Sequence, residues 1–391
     1  MVHTDSPRGP ATATTRTVTL INQTAILDAL RARGPLSRIE LIEATGLAAA
    51  TVHRLCARLL DHGAIAVEHD PGGAIGRPSH RYRFAGEVRT VVAVDVTDDI
   101  ARGALVDLNG ELCQSLSRPL RSHDGALDAG TRLAGTLALI ADLTAAAADR
   151  GTPAVGVGVA VPGVVTAAGR VGDSVELGWV DVPLRDLITE RTGLPAVVEN
   201  DANAVAVGEW SRGAGRGSEN TATLLLGVGL GAGIVADGRL LRGARSAAGE
   251  VGHLIADRSG FSRTAAGGDL ETRMLAVGGA RPHIGRRDAM VGILDAHADG
   301  ADAAREAAAE LIDYLAMAVA ALAVVLGSAE IILAGTLPAR PDVLVSAIEE
   351  RLAGRLPAPP RILLGELGER AAVIGVGHLA IDRTKGALYL A

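Results

Sequence analysis

Between Leu224 and His253 the chain reads LLLGVGLGAGIVADGRLLRGARSAAGEVGH. A short apolar run opens it, and glycine then falls at every second position: Gly227, Gly229, Gly231 and Gly233. Alternation at period two suits a strand. Glycine along one face of a strand lets another backbone or a ligand approach closely. Ala236-Asp237-Gly238 reads as a turn and Leu240 to Gly243 as a return strand. The nearest motif is the dinucleotide fingerprint, but its glycines must open a helix, whereas these lead into a hairpin. The stretch closes on Glu250 and His253, side chains that can hydrogen-bond a polyhydroxylated ligand. That ending favours a small-molecule site over a merely tight sheet.

Composition sets the frame around this stretch. At 391 residues the chain suits two or three domains. Aromatics make up only 2% against 48% hydrophobic residues, so the core must be built from Ala, Val, Leu and Ile. The net charge of −7 argues against nonspecific nucleic-acid binding by the whole protein. The charge is uneven, however: residues 1–86 hold ten arginines against seven acids, and the remainder 28 basic against 38 acidic residues. A basic head on an acidic body permits a nucleic-acid contact in the head only. Two cysteines, Cys56 and Cys113, do not make a disulfide framework. The N-terminus is polar through Thr19 and offers no signal peptide. The longest apolar stretch, Leu315 to Gly327, falls short of the roughly 18 residues of a membrane helix. A cytoplasmic protein with no membrane partner is expected.

Residues 1–18 are expected to be a disordered tail, and 19–86 a first domain. Thr19 to Arg33 reads as a helix with Ile26, Leu27 and Leu30 inward, stopped by Gly34-Pro35. Ser37 and Glu40 fit a capping box ahead of a short helix to Thr45. Gly46 turns the chain into a third helix, about Ala49 to Asp61. There Val52, Leu55, Cys56 and Leu59 share one buried face. Thr51, His53, Arg54 and Arg58 occupy the other. Two helices joined by a glycine turn, the second carrying arginine outward, make a helix-turn-helix. A wing follows: strand Ala64 to His69, turn Asp70 to Gly73, return strand Ser79 to Phe84. Gly76-Arg77-Pro78 sits within it, with Arg81 next. An arginine held by Gly and Pro can enter a narrow minor groove. A helical interaction module with a solvated hairpin is the bland alternative.

Beyond Gly86 to Thr90, strands alternate with helices. Strands are expected at Val91–Val96, Ala104–Leu108, Val155–Val161, Ala196–Val198 and Glu330–Ala334, with a hairpin turn at Asn109-Gly110. Helices are expected at Asp128–Arg150, Pro183–Thr192, Ala301–Gly327 and Ala371–Ile381. Residues 88–391 therefore read as an α/β body.

Four motifs stand in order: the strand from Gly156 running into Pro162-Gly163, Asn200-Asp201-Ala202-Asn203, the glycines 227–233, and Glu250-Val251-Gly252-His253. Together they resemble the ROK family of repressors, open reading frames and sugar kinases. With the winged helix ahead of them, the chain resembles the repressor branch. The resemblance implies an actin-like body of the sugar kinase/Hsp70 type: two α/β lobes, a hinge near residue 200, and a C-terminal helix returning to the first lobe. It places a sugar between the lobes, on Asn200, Asp201, Glu250, His253 and Glu271. Asp201 is the family's base position in kinases, where a carboxylate takes the hydroxyl proton.

Two departures qualify that picture. Family kinases open with Asp-x-Gly-Gly-Thr, and here the same place reads Asp95-Val96-Thr97-Asp98-Asp99. The glycines that would let backbone amides cradle phosphate are absent. Many members also hold zinc through the motif histidine and a cysteine cluster. Residues 260–271 read GFSRTAAGGDLE, without cysteine, so no metal and no cofactor are expected. The expectation is a sugar-responsive repressor, not an enzyme, with double-stranded operator DNA and a sugar or sugar derivative as partners. It is expected to act as a homodimer or dimer of dimers on a palindromic site. The alternatives are a sugar kinase with an appended DNA-binding head and a DNA-binding protein whose cleft has decayed.

Overall fold

The computed structural model describes residues 15–69, 80–120, 128–227, 229–256, 261, 268–277 and 286–388. The wing tip, with the turn Asp70–Gly73 and with Gly76, Arg77 and Pro78, lies outside the described residues, as do residues 1–14 of the expected tail; residues 15–18, expected in that tail, are instead the first turn of a helix, Thr15–Arg33.

The head is built from α1 (Thr15–Arg33), β1 (Leu36–Ser37), α2 (Arg38–Thr45), α3 (Ala49–Asp61), β2 (Ile65–His69) and β3 (His80–Phe84). Its sheet runs in the order β1-β3-β2. The capping box forms: Glu40 N–H donates to Ser37 Oγ at 3.3 Å, and Ser37 N–H to Glu40 Oε2 at 2.7 Å. Gly46 ends α2 in the left-handed region at φ 67°, which glycine adopts without penalty. Helix α3 buries Val52, Leu55, Cys56 and Leu59, as its periodicity requires.

The first lobe holds β4 (Thr90–Val96), β5 (Ile100–Asp107), β6 (Leu112–Pro119), α4 (Ala129–Asp149), β7 (Ala154–Val161), β8 (Val171–Ser174), β9 (Trp179–Val182), α5 (Leu184–Thr192), β10 (Ala196–Asn200) and α6 (Asp201–Arg212). Five strands run in the order β10-β7-β4-β5-β6, with β10, β7 and β4 parallel. Helix α4 starts where the Asp128 carboxylate accepts Gly130 and Thr131 N–H. It buries Leu139, Ile140 and Leu143 in the core of this lobe.

The second lobe holds β11 (Thr221–Leu226), β12 (Leu230–Ala236), β13 (Arg239–Leu240), α7 (Leu270–Val277), α8 (Arg286–Ala298), α9 (Arg305–Leu326), β14 (Glu330–Gly335), α10 (Pro341–Leu352) and β15 (Arg361–Leu364). Its sheet runs β13-β12-β11-β14-β15. The last helix, α11 (Ala371–Leu388), crosses back and packs on β4 and β7 of the first lobe and along α6.

Here the structure corrects the reading of the glycine run. It is not one strand: the chain reverses at Gly227–Gly229, where Gly227 N–H donates to Gly229 O at 3.0 Å and Leu226 pairs with Leu230. Only Gly231 and Gly233 stand within β12. A Cβ on Gly233 would overlap Ala202 O of α6, so the missing side chain lets a helix lie on the strand. The return strand is also shorter than expected, pairing only Arg239 and Leu240. Helix α6, which fills the space over β12, was not expected at all.

Among the described residues two helices, Ala129–Asp149 and Asp302–Leu326, are long and apolar enough to cross a membrane, which the run Leu315–Gly327 taken alone understated. Both lie on sheets; α9 puts Leu311, Leu315, Val319 and Leu322 into the second-lobe core.

Candidate functional site

Strands β4, β7 and β10 of the first lobe and β11 and β14 of the second all end at one cleft, the place where open α/β sheets bind ligands. The cavity there has a volume of about 470 Å³. Asn200, Asp201, Glu250, His253 and Glu271 all line it. The structure thus brings together in one cavity all five residues that the family resemblance implies for the ligand.

Each is positioned by a local device. Asn200 is the N-cap of α6: its Oδ1 accepts Asn203 N–H at 3.1 Å, and its Nδ2 donates to Gly163 O at 3.2 Å. This fixes the amide between two strand ends. Asp201 opens the helix, and its Oδ1 accepts both Ala202 N–H at 2.8 Å and Asn200 Nδ2 at 3.0 Å. Glu250 hangs from the loop after β13. That loop is seated on β12 by Ala232 N–H donating to Gly249 O at 2.8 Å, with Gly249 at φ 90°. Glu250 precedes a single 3-10 turn, Val251–His253, that leaves His253 exposed at the cleft. Glu271 comes from the first turn of α7, and its Oε2 accepts Leu230 N–H at 3.2 Å.

Burial pushes the Glu250 carboxyl above its ordinary range; nearby His253 opposes this and Glu271 adds to it. The cleft therefore offers hydrogen-bonding groups of several kinds to a polyol: carboxylates, a carboxyl that holds its proton longer than usual, an amide and an imidazole.

One interlobe contact was not foreseen. Glu199, buried just before Asn200, accepts Arg242 Nε at 2.7 Å, Asn203 Nδ2 at 3.0 Å and Asn200 N–H at 3.1 Å. Arg242 belongs to the loop that carries Glu250, so this ion pair ties the two halves of the site together. The sequence showed an acid ahead of the Asn-Asp pair, but nothing marked its partner 43 positions away. Asp173 and Glu176, from the β8 end, also line the cavity without having been singled out.

At the kinase phosphate-loop position, β4 runs straight into a tight turn. Thr97 N–H donates to Ile100 O at 2.9 Å, and Thr97 Oγ1 to Asp99 Oδ1 at 3.0 Å. A zinc centre would need thiolate partners for His253, and residues 260–271 contain no cysteine. The residues present do not fit that group.

On the head, α3 presents His53, Arg54 and Arg58 to solvent, with Thr51 half-buried beside them. Arg81 is engaged within the head. Its guanidinium donates to Pro35 O at 2.7 Å and to Glu40 Oε1 at 3.2 Å, bracing the base of the wing against α2.

A winged helix joined to two α/β lobes, with a carboxylate-and-amide pocket between them, defines a DNA-binding type of head on a sugar-kinase type of body. The chain belongs to the ROK family, whose profile matches residues 91–383, and a MarR family profile matches residues 17–74. A glucokinase of Halalkalibacterium halodurans is 33% identical over 283 residues, covering 67% of this chain and 84% of the relative. A xylose repressor of Bacillus subtilis is 27% identical over 240 residues, covering 61% of this chain and 62% of the repressor. The crystal structure of a ROK family transcriptional regulator, a homologue of the E. coli Mlc protein, superposes with a TM-score of 0.78. It covers 95% of this chain and 98% of that one at 24% identity, a likeness of fold that extends over head and body together.

Proposed function

We propose that the protein is a sugar-responsive transcriptional repressor that binds a palindromic operator, its affinity set by a sugar or sugar derivative between the lobes. The head runs from the start of α1 to residue 86 and the body spans 88–391, with the hinge near residue 200. Similarity to xylose repressors over much of the body supports the reading, as does the MarR-type head.

The observation that carries it is helix α6. It begins at the ligand residues Asn200 and Asp201 and ends at Arg212, about 18 Å away at the usual rise per residue. There Arg212 Nη1 pairs with Glu111 at 3.0 Å, and its Nη2 donates to Asn109 O. These residues form the β5–β6 turn. Next to them Leu108 N–H donates to Gly86 O at 3.0 Å, and Leu108 O accepts Arg31 Nη2 of the head at 3.4 Å. One helix thus joins the cleft to the seat of the head. A sugar that favours one lobe arrangement shifts the head by its differential affinity for the two arrangements. Thr51, His53, Arg54 and Arg58 on α3 read the major groove, and Arg77 enters the minor groove. A two-fold dimer, or a dimer of dimers, matches the operator's symmetry.

Retention of Asp201 and the glucokinase relative favour a second reading, a sugar kinase with an appended head. We place it second. The Asp95–Asp99 turn has no glycine to bring amides to a phosphate, and Asp98 and Asp99 put negative charge there. Paired carboxylates could recruit magnesium, but not the missing backbone approach. A coupled phosphotransfer assay across a hexose and pentose panel, with magnesium, decides between the two. The expected result is turnover at background. Turnover that Asp201→Ala abolishes would establish the kinase instead.

A further inference from the structure

The chain passes between its two main sheets twice. It leaves the first at the end of β10, runs through α6 and enters the second at β11. It leaves the second after β15 and returns through residues 365–370 to α11, which packs on β4 and β7. Both passages meet at one side chain. Glu209, in the last turn of α6, is fully buried. Its Oε2 accepts Ala214 N–H from the outward passage and Glu366 N–H from the return. Its Oε1 accepts Leu367 N–H from the return, and all three bonds measure 3.0 Å. The carbonyl of the same residue accepts Gly213 and Gly215 N–H at 3.0 Å, which closes the outward passage on it.

Three donors and no acceptor suit a carboxylate, which can only accept. Among the described residues no cation is paired with Glu209, so the backbone of the two passages is what holds it. The fit leaves no slack: a Cβ on Gly365 would stand 2.9 Å from Glu209 Oε1. Freeing any one of the three N–H groups would leave a buried donor unmet, which is costly. Glu209 also lies outside the cavity between the lobes. It is about 12 Å beyond Asp201 along α6 at the usual rise per residue. A tie in that place holds the base of the cleft and leaves its mouth free to move.

We infer that Glu209 is a positioning residue: its carboxylate pins the two passages to each other and sets the pivot about which the lobes open and close. The consequence for regulation rests on the sugar-responsive reading. With the pin in place, closing the cleft turns α6 and the seat of the head by a fixed amount. Without it the lobes shift with no common axis, and the head receives no defined displacement.

The test is the distance between the lobes, read by pulsed electron spin resonance on the full-length protein with no sugar present. Spin labels enter through Glu190→Cys on α5 and Glu350→Cys on α10, both exposed positions. The background carries Cys113→Ser, and Cys56, buried in the head core, takes no label. Glu209→Gln sets an amide N–H against one of the three donors. It is expected to broaden the distribution of interlobe distances at least about twofold, as for a loosened hinge, with circular dichroism unchanged. Leu139→Ala, which opens a cavity in the first-lobe core, keeps the wild-type width. Where Glu209→Gln does not fold, Gly365→Ala takes its place, because its methyl pushes the return passage off the carboxylate. A folded variant with the wild-type width overturns the inference. It leaves the sugar-responsive reading standing, since no sugar enters the measurement. Equal broadening by Leu139→Ala would show general softening in place of a pin, and overturns the inference as well.

Discussion

Glu250 is the residue at which position and chemistry meet. Its loop is held on β12 and latched to the first lobe through Arg242 and Glu199. Burial raises its carboxyl above the ordinary 4.5. The folded chain therefore binds more protons at this site than the unfolded chain, from about pH 4.5 up to the raised value. Stability falls as pH rises through that window. Glu250→Gln removes the contribution. Thermal melts from pH 4 to pH 7 are expected to show the variant gaining on the wild type as pH rises; a difference that does not change with pH would contradict the assignment. At this scale the sequence was informative wherever a residue lay inside a local motif. Asn200 and Asp201 were nominated as neighbours on the chain, and the Ser37–Glu40 box by its spacing. The Arg242–Glu199 pair was not legible, because it depends on how two lobes meet and no local spacing encodes it.

At the scale of elements, α6 was the principal omission, and the reason is physical. Its sequence DANAVAVGEWSR is buried without a break from Ala202 to Glu209, so no polar stripe marks a helical period. It is enclosed by β12 on one side and α11 on another. A Cβ on Gly208 would overlap Ala371 O, and one on Gly375 would overlap Ala204 O. Glu209, fully buried, accepts N–H from Ala214, Glu366 and Leu367 at 3.0 Å each, which binds α6 to the segment that leads from β15 into α11. By contrast α3, with one face polar, was legible to the residue. The same packing makes α6 suited to transmit a displacement, because tightly packed elements move as units. Arg212→Ala cuts its link to the β5–β6 turn without touching the cleft. The expected outcome is unchanged sugar affinity by calorimetry and a sugar effect on operator binding reduced by about 0.5–2 kcal/mol. Full retention of that effect would exclude this route.

For the molecule as a whole, the division into a basic head and an acidic α/β body followed from charge and periodicity. The seating of one on the other did not. Head residues Ile26, Leu55 and Phe84 and body residues Val91, Val106 and Ile381 belong to one continuous apolar cluster. Arg31 lies 4.2 Å over the Phe84 ring beside the β5–β6 turn. A head seated this way follows the first lobe rather than swinging on a loose tether, which is what a lobe movement needs if it is to change the spacing of two recognition helices in a dimer. The central claim is the coupling between cleft and operator. It is measured most directly by fluorescence anisotropy of labelled promoter DNA from the protein's own genomic neighbourhood, titrated with and without the sugar that calorimetry identifies. The account predicts that the sugar changes operator affinity by about 5–150-fold, and that His253→Ala and Glu250→Ala bind the operator normally but lose the change. Operator affinity that stays constant while the sugar saturates the cleft would contradict it.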